Sequence, residues 1–156
     1  QKALIETIAM DEAVRIADKM TSEEDTLLLV TADHAHVFTI SGYPGRGNPI
    51  LGIAGTSPID GLPFNTLSYA NGPGFRPPDV NGHRHDVTND NFTNKDYQQP
   101  AGVPLSSETH GGDDVIIYSR GPFSHLLTGV VNQCFIPHVI SYASCTGYGA
   151  KYCDIL

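Results

Sequence analysis

The sequence predicts an α/β fold, because a helical pattern is followed by a strand pattern near the N-terminus and both recur near the C-terminus. Apolar residues repeat at helical spacing from Leu4 to Met20, with charged residues between them. This indicates an amphipathic helix of about five turns. After a polar break, residues 26–31 form an apolar run that is typical of a strand buried on both faces. A helix, a short turn and a buried strand make half of an α/β unit.

The C-terminal part of the chain returns to this character. Residues 114–118, DVIIY, are typical of a strand. Residues 135–143, FIPHVISYA, predict a helix with Pro137 in its first turn, where a missing backbone N–H costs nothing. We therefore assign residues 1–41 and 106–156 to one α/β core.

The middle of the chain, residues 42–105, has a different composition. Most of the 16 glycines and 11 prolines lie here, beside many Asn and Asp residues. A disordered linker is one interpretation. Scattered large apolar residues favour an irregular but folded insertion instead; they are Ile50, Leu51, Ile53, Phe64, Leu67, Tyr69, Phe75 and Tyr97.

Composition excludes several classes of function. The formal net charge of -8 argues against nucleic-acid binding, which needs clustered Lys and Arg. An anionic substrate would need a local positive charge, and a bound metal ion is the densest one available. No apolar run is long enough to span a membrane, and neither a basic leader nor a lipid-anchor signal is visible. Helical periodicity begins directly after Gln1, so we expect a chain that starts inside a domain.

Asp33, His34 and His36 directly follow the first predicted strand. Zinc binds imidazole nitrogen and carboxylate oxygen, so this cluster is a candidate metal site, although a hydrogen-bonded polar turn would have the same residues. His110 is a second candidate ligand. It lies between Glu108 and the pair Gly111-Gly112, which permit a close backbone approach.

The remaining histidines are weaker candidates. We expect His125 and His138, which have apolar neighbours, to be core or capping residues. We expect His83 and His85, in the Gly- and Asn-rich middle segment, to lie on the surface. The sequence contains neither a G-x-S-x-G elbow nor a phosphate-binding GxxxxGK[ST] loop.

The cysteines bear on the cellular compartment. Cys145 and Cys153 are close in sequence and separated by a Gly- and Tyr-containing stretch that can turn back, which favours a disulfide. Three reduced thiols in a cytosolic protein are the alternative. Cys134 is then predicted to be a buried free thiol. Asn91-Phe92-Thr93 matches the glycosylation sequon, which supports a secreted protein.

Three stretches carry a resemblance to a known family. TSEEDTLLLVTADHAHVF, SETHGGDDVIIYSRGPFSHLLTGVVNQ and HVISYASCTG are similar to the C-terminal third of eukaryotic alkaline phosphatases. The resemblance implies a three-layer α/β sandwich with a central mixed β-sheet. It also implies that residues 42–105 are the loop-rich crown domain inserted into that core.

The family hydrolyses phosphate monoesters at alkaline pH with two zinc ions, a magnesium ion and a serine nucleophile. By this resemblance, Asp33 and His34 are similar to ligands of the zinc that activates the serine, and His110 is similar to a ligand of the other zinc. His36 matches a neighbour that supports the ligands without binding the metal. Cys145 and Cys153 match the family's C-terminal disulfide, whereas Cys134 departs from its pattern.

The resemblance also places the serine, a phosphate-binding arginine and the magnesium ligands before this segment, so we expect residues 1–156 alone to be inactive. It implies a homodimer outside the cell or at its surface, with phosphate monoesters and inorganic phosphate as small-molecule partners. The alternatives are a related metal-dependent phosphodiesterase or phosphomutase, and a non-catalytic extracellular metal-binding module.

Overall fold

The computed structural model describes residues 1–155, in which helices and short strands are mixed along the chain. This is an α/β arrangement, as the sequence predicts. In chain order the elements are α1 (Lys2–Met20), β1 (Leu28–Thr31), β2 (Ala35–His36), β3 (Phe38–Ile40), β4 (Ile53–Thr56), β5 (Pro63–Asn65), β6 (Leu67–Gly72), β7 (Ala101–Pro104), β8 (His110–Gly111), β9 (Ile117–Arg120) and α2 (Phe135–Ala143).

Contacts divide the chain into two units. The first unit contains Gln1–Glu6 and His34–Asp114, and the second contains Thr7–Asp33 and the chain from Val115 onward. Both candidate histidine stretches therefore lie in the first unit. The assignment of residues 42–105 to an insertion in a core of residues 1–41 and 106–156 stays a prediction.

Helix α1 confirms the predicted N-terminal helix. Its sequence lacks Gly and Pro, and its C-terminal end is closed by Thr21, whose Oγ1 donates to the carbonyl of Ala17 over 2.8 Å. None of its residues is buried in this structure. No helix among residues 1–155 combines the length and apolar character needed to cross a membrane.

In the second unit, β1 pairs antiparallel with β9, with Thr31 opposite Ile117. The first strand is shorter than predicted, and its residues are half-buried or exposed instead of buried on both faces. The strand predicted over 114–118 is observed as Ile117–Arg120. Pairing with β1 sets this boundary, because the ladder begins at Ile117 while the apolar Val115 and Ile116 remain exposed before it.

Helix α2 has the predicted bounds, with Pro137 in its first turn, and buries Val139 almost completely. The disulfide between Cys145 and Cys153 is present, with Cα atoms 5.8 Å apart. The prediction that Cys134 is buried was wrong. Cys134 directly precedes α2 and is exposed, in a turn where its backbone N–H donates to Oδ1 of Asn132 over 3.0 Å.

In the first unit, β3, β6 and β7 form a mixed sheet in which β6 pairs antiparallel with β3 and parallel with β7. Strands β4 and β5 form a separate antiparallel pair. Leu67 and Val87 are buried, so the middle segment is folded, as its scattered apolar residues predicted, and is not a disordered linker.

Buried polar groups stabilise this irregular segment. Tyr97 donates its hydroxyl to Asp90 over 2.6 Å, and Arg76 donates to the same carboxylate oxygen over 2.9 Å. The amide of Asn65 donates to the Tyr97 hydroxyl at 3.1 Å and to Gln99 at 2.8 Å. Burial alone would raise the pKa of Asp90, but hydrogen bonds from Tyr97 and His85 and the charge of Arg76 outweigh it and lower the pKa below its usual value.

Candidate metal centre

Strands β2 and β8 bring the two histidine stretches together. They pair antiparallel, with Ala35 opposite Gly111 and His36 opposite His110. The pair is tight, since a Cβ atom at Gly111 would lie 3.0 Å from both the backbone nitrogen and the backbone oxygen of His36. The close backbone approach predicted for the Gly111-Gly112 pair is therefore made by Gly111.

The rings of His34 and His110 are stacked. Their centroids lie 3.6 Å apart and their planes differ by 16°. His34 is half-buried, whereas His110 is exposed. Two imidazoles that are distant in sequence thus meet at one place in the first unit.

A backbone hydrogen bond determines which nitrogen of His34 has a lone pair. Nδ1 lies 2.8 Å from the carbonyl oxygen of Ala35. A carbonyl only accepts, so this bond requires the proton on Nδ1 and leaves the lone pair on Nε2. Such a hydrogen bond on one ring nitrogen is the usual way in which a metal-binding histidine is oriented.

His36 lies beside the stacked pair. Its ring centroid is 6.1 Å from that of His110 and meets Tyr69 edge-on at 6.1 Å. Its Nε2 is 4.0 Å from Oε1 of Glu108, and its buried Nδ1 has no hydrogen-bond partner within residues 1–155. Burial, together with the charge of Glu108, raises the pKa of Tyr69.

Asp33 is exposed and directly precedes His34 in the chain, at the end of a segment of the second unit. Within residues 1–155, no three His, Cys, Asp or Glu side chains are grouped so that they would hold one metal ion. The donor atoms, imidazole nitrogen and an adjacent carboxylate oxygen, are therefore of the type that zinc binds. They do not form a structural site in which protein ligands surround the ion completely.

The other histidines divide into a confirmed and a wrong prediction. His83 and His85 are exposed, as predicted. His125 and His138, which were predicted to be core or capping residues, are also exposed, so the core alternative was wrong. One apolar neighbour of each is buried instead: Leu127 lies two residues after His125, and Val139 directly follows His138 in α2.

Sequence reasoning missed Asn71, near the end of β6. Its side-chain amide makes two hydrogen bonds with Thr109, the residue before His110. Asn71 lies in the Gly- and Asn-rich segment among many similar residues, so nothing in its local sequence distinguishes it. Only the approach of β6 to the segment that carries His110 reveals the contact.

Comparison with known proteins gives a consistent result. A family model described as alkaline phosphatase matches residues 1–146. The chain is 48% identical over 155 residues to the tissue-nonspecific alkaline phosphatase of Gallus gallus, covering 99% of this chain and 30% of that protein. It is 47% identical over 154 residues to the tissue-nonspecific isozyme of Homo sapiens, covering 98% of this chain and 29% of that protein. It is 48% identical over 148 residues to an alkaline phosphatase of Gadus morhua, covering 94% and 31% respectively.

Proposed function

Because the chain belongs to the alkaline phosphatase family, we propose that the protein hydrolyses phosphate monoesters at alkaline pH, with two zinc ions and a serine nucleophile. The chain spans 30% of the length of its Gallus gallus relative, so this activity is proposed for the whole protein. We propose that the serine lies outside residues 1–156 and that this segment alone has no turnover.

The stacked rings of His34 and His110 are the observation that carries the two-metal proposal. A metal ion bound by imidazole lies close to the plane of the ring. Two nearly parallel planes with centroids 3.6 Å apart share no such position, so one ion is a poor fit. Two ions, one held by each imidazole, would fit the two ring planes, and such pairs of ions are the basis of two-metal hydrolytic sites.

Each proposed ligand then has a separate role. Asp33 and His34 bind one zinc and His110 binds the other, while His36 supports the ligands from beside the stack. The charge of Asp33 strengthens metal binding, whereas neutral imidazoles leave more Lewis acidity on the metal. Bound zinc would stabilise the attacking and leaving oxygens of phosphoryl transfer.

Charge supports a metal-assisted reaction at this place. The chain has a formal net charge of -8, and Glu108 lies beside His36, so the protein groups by themselves would repel a phosphate dianion. Bound divalent ions would reverse this local field. We propose phosphate monoesters and inorganic phosphate as the ligands, with magnesium bound mostly by residues outside this segment.

The finer architecture is also proposed. Family membership supports a three-layer sandwich with a central mixed sheet, with residues 1–41 and 106–156 in the core and residues 42–105 as the crown. It likewise supports a homodimer. The Cys145–Cys153 disulfide fits an oxidising compartment, so we propose an extracellular or cell-surface protein.

We further propose that Asn91 is glycosylated. It is exposed, and its Oδ1 accepts a hydrogen bond from Thr93 Oγ1 over 2.9 Å. In secreted protein from eukaryotic cells, Asn91→Gln should remove one glycan, seen as a mass decrease that enzymatic deglycosylation abolishes. An unchanged glycan mass would contradict this assignment.

The central test replaces His110 by Ala in the full-length protein. We expect loss of bound zinc, measured by elemental analysis, and a decrease of at least about a hundredfold in monoester hydrolysis. The matched control is His83→Ala, which removes an exposed imidazole of the same first unit and should leave both quantities unchanged.

Full zinc content and full rate in His110→Ala would overturn the assignment of that ligand. A wild-type enzyme that cleaves a diester far faster than the matching monoester would favour the phosphodiesterase alternative. A native protein with zinc but without either activity would favour the metal-binding module.

A further inference from the structure

We propose that Asn71 is a positioning residue that holds His110 in place through Thr109. This inference rests on the proposed role of His110 as a zinc ligand. The side-chain hydrogen bonds of Asn71 are made to Thr109 and not to a histidine ring, so its effect on the metal centre would be indirect. Two observations support this role. Asn71 makes two hydrogen bonds with Thr109, and the backbone of Val37 binds Thr109 from the other side.

The two hydrogen bonds are reciprocal. Nδ2 of Asn71 donates to Oγ1 of Thr109 over 2.9 Å, and the backbone N–H of Thr109 donates to Oδ1 of Asn71, also over 2.9 Å. One planar amide thus engages both the side chain and the main chain of the residue before His110. Because two bonds to a rigid group fix an orientation as well as a distance, the peptide that enters His110 is held in one geometry.

The opposite side of Thr109 is held by the backbone. Its carbonyl oxygen accepts from the N–H of Val37 over 3.4 Å, and the carbonyl of Val37 accepts from the N–H of Ala70 over 2.9 Å. Ala70 and Asn71 are neighbours in β6, so this strand is connected to Thr109 twice. Asn71 binds it directly, and Ala70 is connected to it through the backbone of Val37. This closed arrangement leaves the main chain before His110 little freedom to rotate.

The end of β6 also approaches Glu108, the residue before Thr109. Gly72 has a φ of +136°, and a Cβ atom there would lie 3.4 Å from Cβ of Glu108. Glu108 is the carboxylate beside His36. Asn71 and Gly72 therefore lie against two successive residues, Thr109 and Glu108.

A ligand's supporting partner affects metal affinity because a loosely held side chain must be ordered when the metal binds. Replacement of such partners typically costs about 10–100-fold in metal affinity. In the full-length protein we expect a decrease in this range for Asn71→Ala, measured by competition with a zinc chelator. Ser68→Ala is the control, because Ser68 lies on the same strand and bonds Thr39 at 2.6 Å instead of Thr109.

Thr109 supplies a second pair of variants that preserves shape. Thr109→Val removes only the hydroxyl and should lower zinc affinity by a smaller factor than Asn71→Ala. Thr109→Ser keeps the hydroxyl and should restore affinity to the wild-type value. Equal zinc affinity in the wild type, Asn71→Ala and Thr109→Val would overturn the proposal, as would an equal loss in Ser68→Ala.

Hydrogen exchange tests the contact between Asn71 and Thr109 separately from the metal role of His110, since it needs no metal. In the metal-free protein, Asn71→Ala should accelerate exchange in peptides covering residues 105–111 and leave those covering 135–143 unchanged. If exchange does not change, Asn71 does not hold this segment and the inference fails, whatever His110 binds. If exchange accelerates but neither Asn71→Ala nor His110→Ala lowers zinc affinity, the proposed metal role of His110 fails, and the inference about positioning a ligand fails with it.

Discussion

Gly111 approaches His36 so closely that a Cβ atom on Gly111 would lie 3.0 Å from both the nitrogen and the oxygen of the His36 backbone. Strands β2 and β8 each contain only two residues, and Gly111 lies opposite Ala35, the residue before His36. The next glycine differs, because a Cβ atom at Gly112 would have no heavy atom within 4 Å. Only the first glycine of the pair is required by packing.

Gly111→Ala should therefore disturb the metal centre more than the fold. The added methyl group would push β8 from β2 by a few tenths of an ångström and displace His110 from His34. We expect zinc affinity to fall about tenfold or more, by chelator competition, with only a small decrease in thermal stability. Gly112→Ala should have wild-type affinity, and an equal loss in both variants would contradict this explanation.

Local sequence patterns predicted the helices well. Residues 135–143 combine helical periodicity with Pro137 in the first turn, and the observed helix has the same bounds. His34 and His110 were predicted as ligands from two separate stretches, and the pairing of β2 with β8 brings their rings into contact. The helix prediction rests on a local pattern, whereas the ring contact depends on this long-range pairing. The role of these histidines as ligands stays a prediction.

Features that depend on distant partners could not be predicted. The start of β9 at Ile117 is determined by pairing with β1, and the preceding apolar residues give no sign of it. Cys134 lies in an exposed turn before α2, although apolar residues stand on both sides of it in the sequence. Asn71 is recognised only because β6 ends beside Thr109. In each case, tertiary contacts decide between conformations that the local sequence permits equally.

Tyr97→Phe should destabilise the middle segment. The hydroxyl that it removes donates to Asp90 at 2.6 Å and accepts from Asn65 at 3.1 Å, so both groups would lose a partner in a largely buried place. We expect the free energy of unfolding to fall by about 1–3 kcal/mol, measured by urea denaturation. Tyr43→Phe is the control, because Tyr43 is fully exposed and should show no change.

Asp60 should contribute to stability in a pH-dependent way. Hydrogen bonds from Arg84, and one from the Leu62 backbone, lower the pKa of Asp60 to about 2. Because the folded-state pKa lies below the unfolded value, the contribution is fully present above about pH 4 and disappears as the pH falls toward 2. In metal-free protein, Asp60→Asn should be less stable than wild type at pH 5, and the difference should shrink by pH 2.5. A difference that stays constant across this range would contradict the assignment.

The Cys145–Cys153 disulfide should stabilise the C-terminal region by restricting the unfolded chain. Its cysteines are 8 positions apart, and closing so short a loop is worth about 2–3 kcal/mol. The double variant Cys145→Ser/Cys153→Ser should lose this amount in urea denaturation of the full-length protein. Cys134→Ser is the matched control, since Cys134 is free and exposed and its removal should leave stability unchanged.

Peptide mapping without reduction should show residues 145 and 153 in one cross-linked peptide. A cross-link from Cys134 to either residue would show that a different pairing forms in solution.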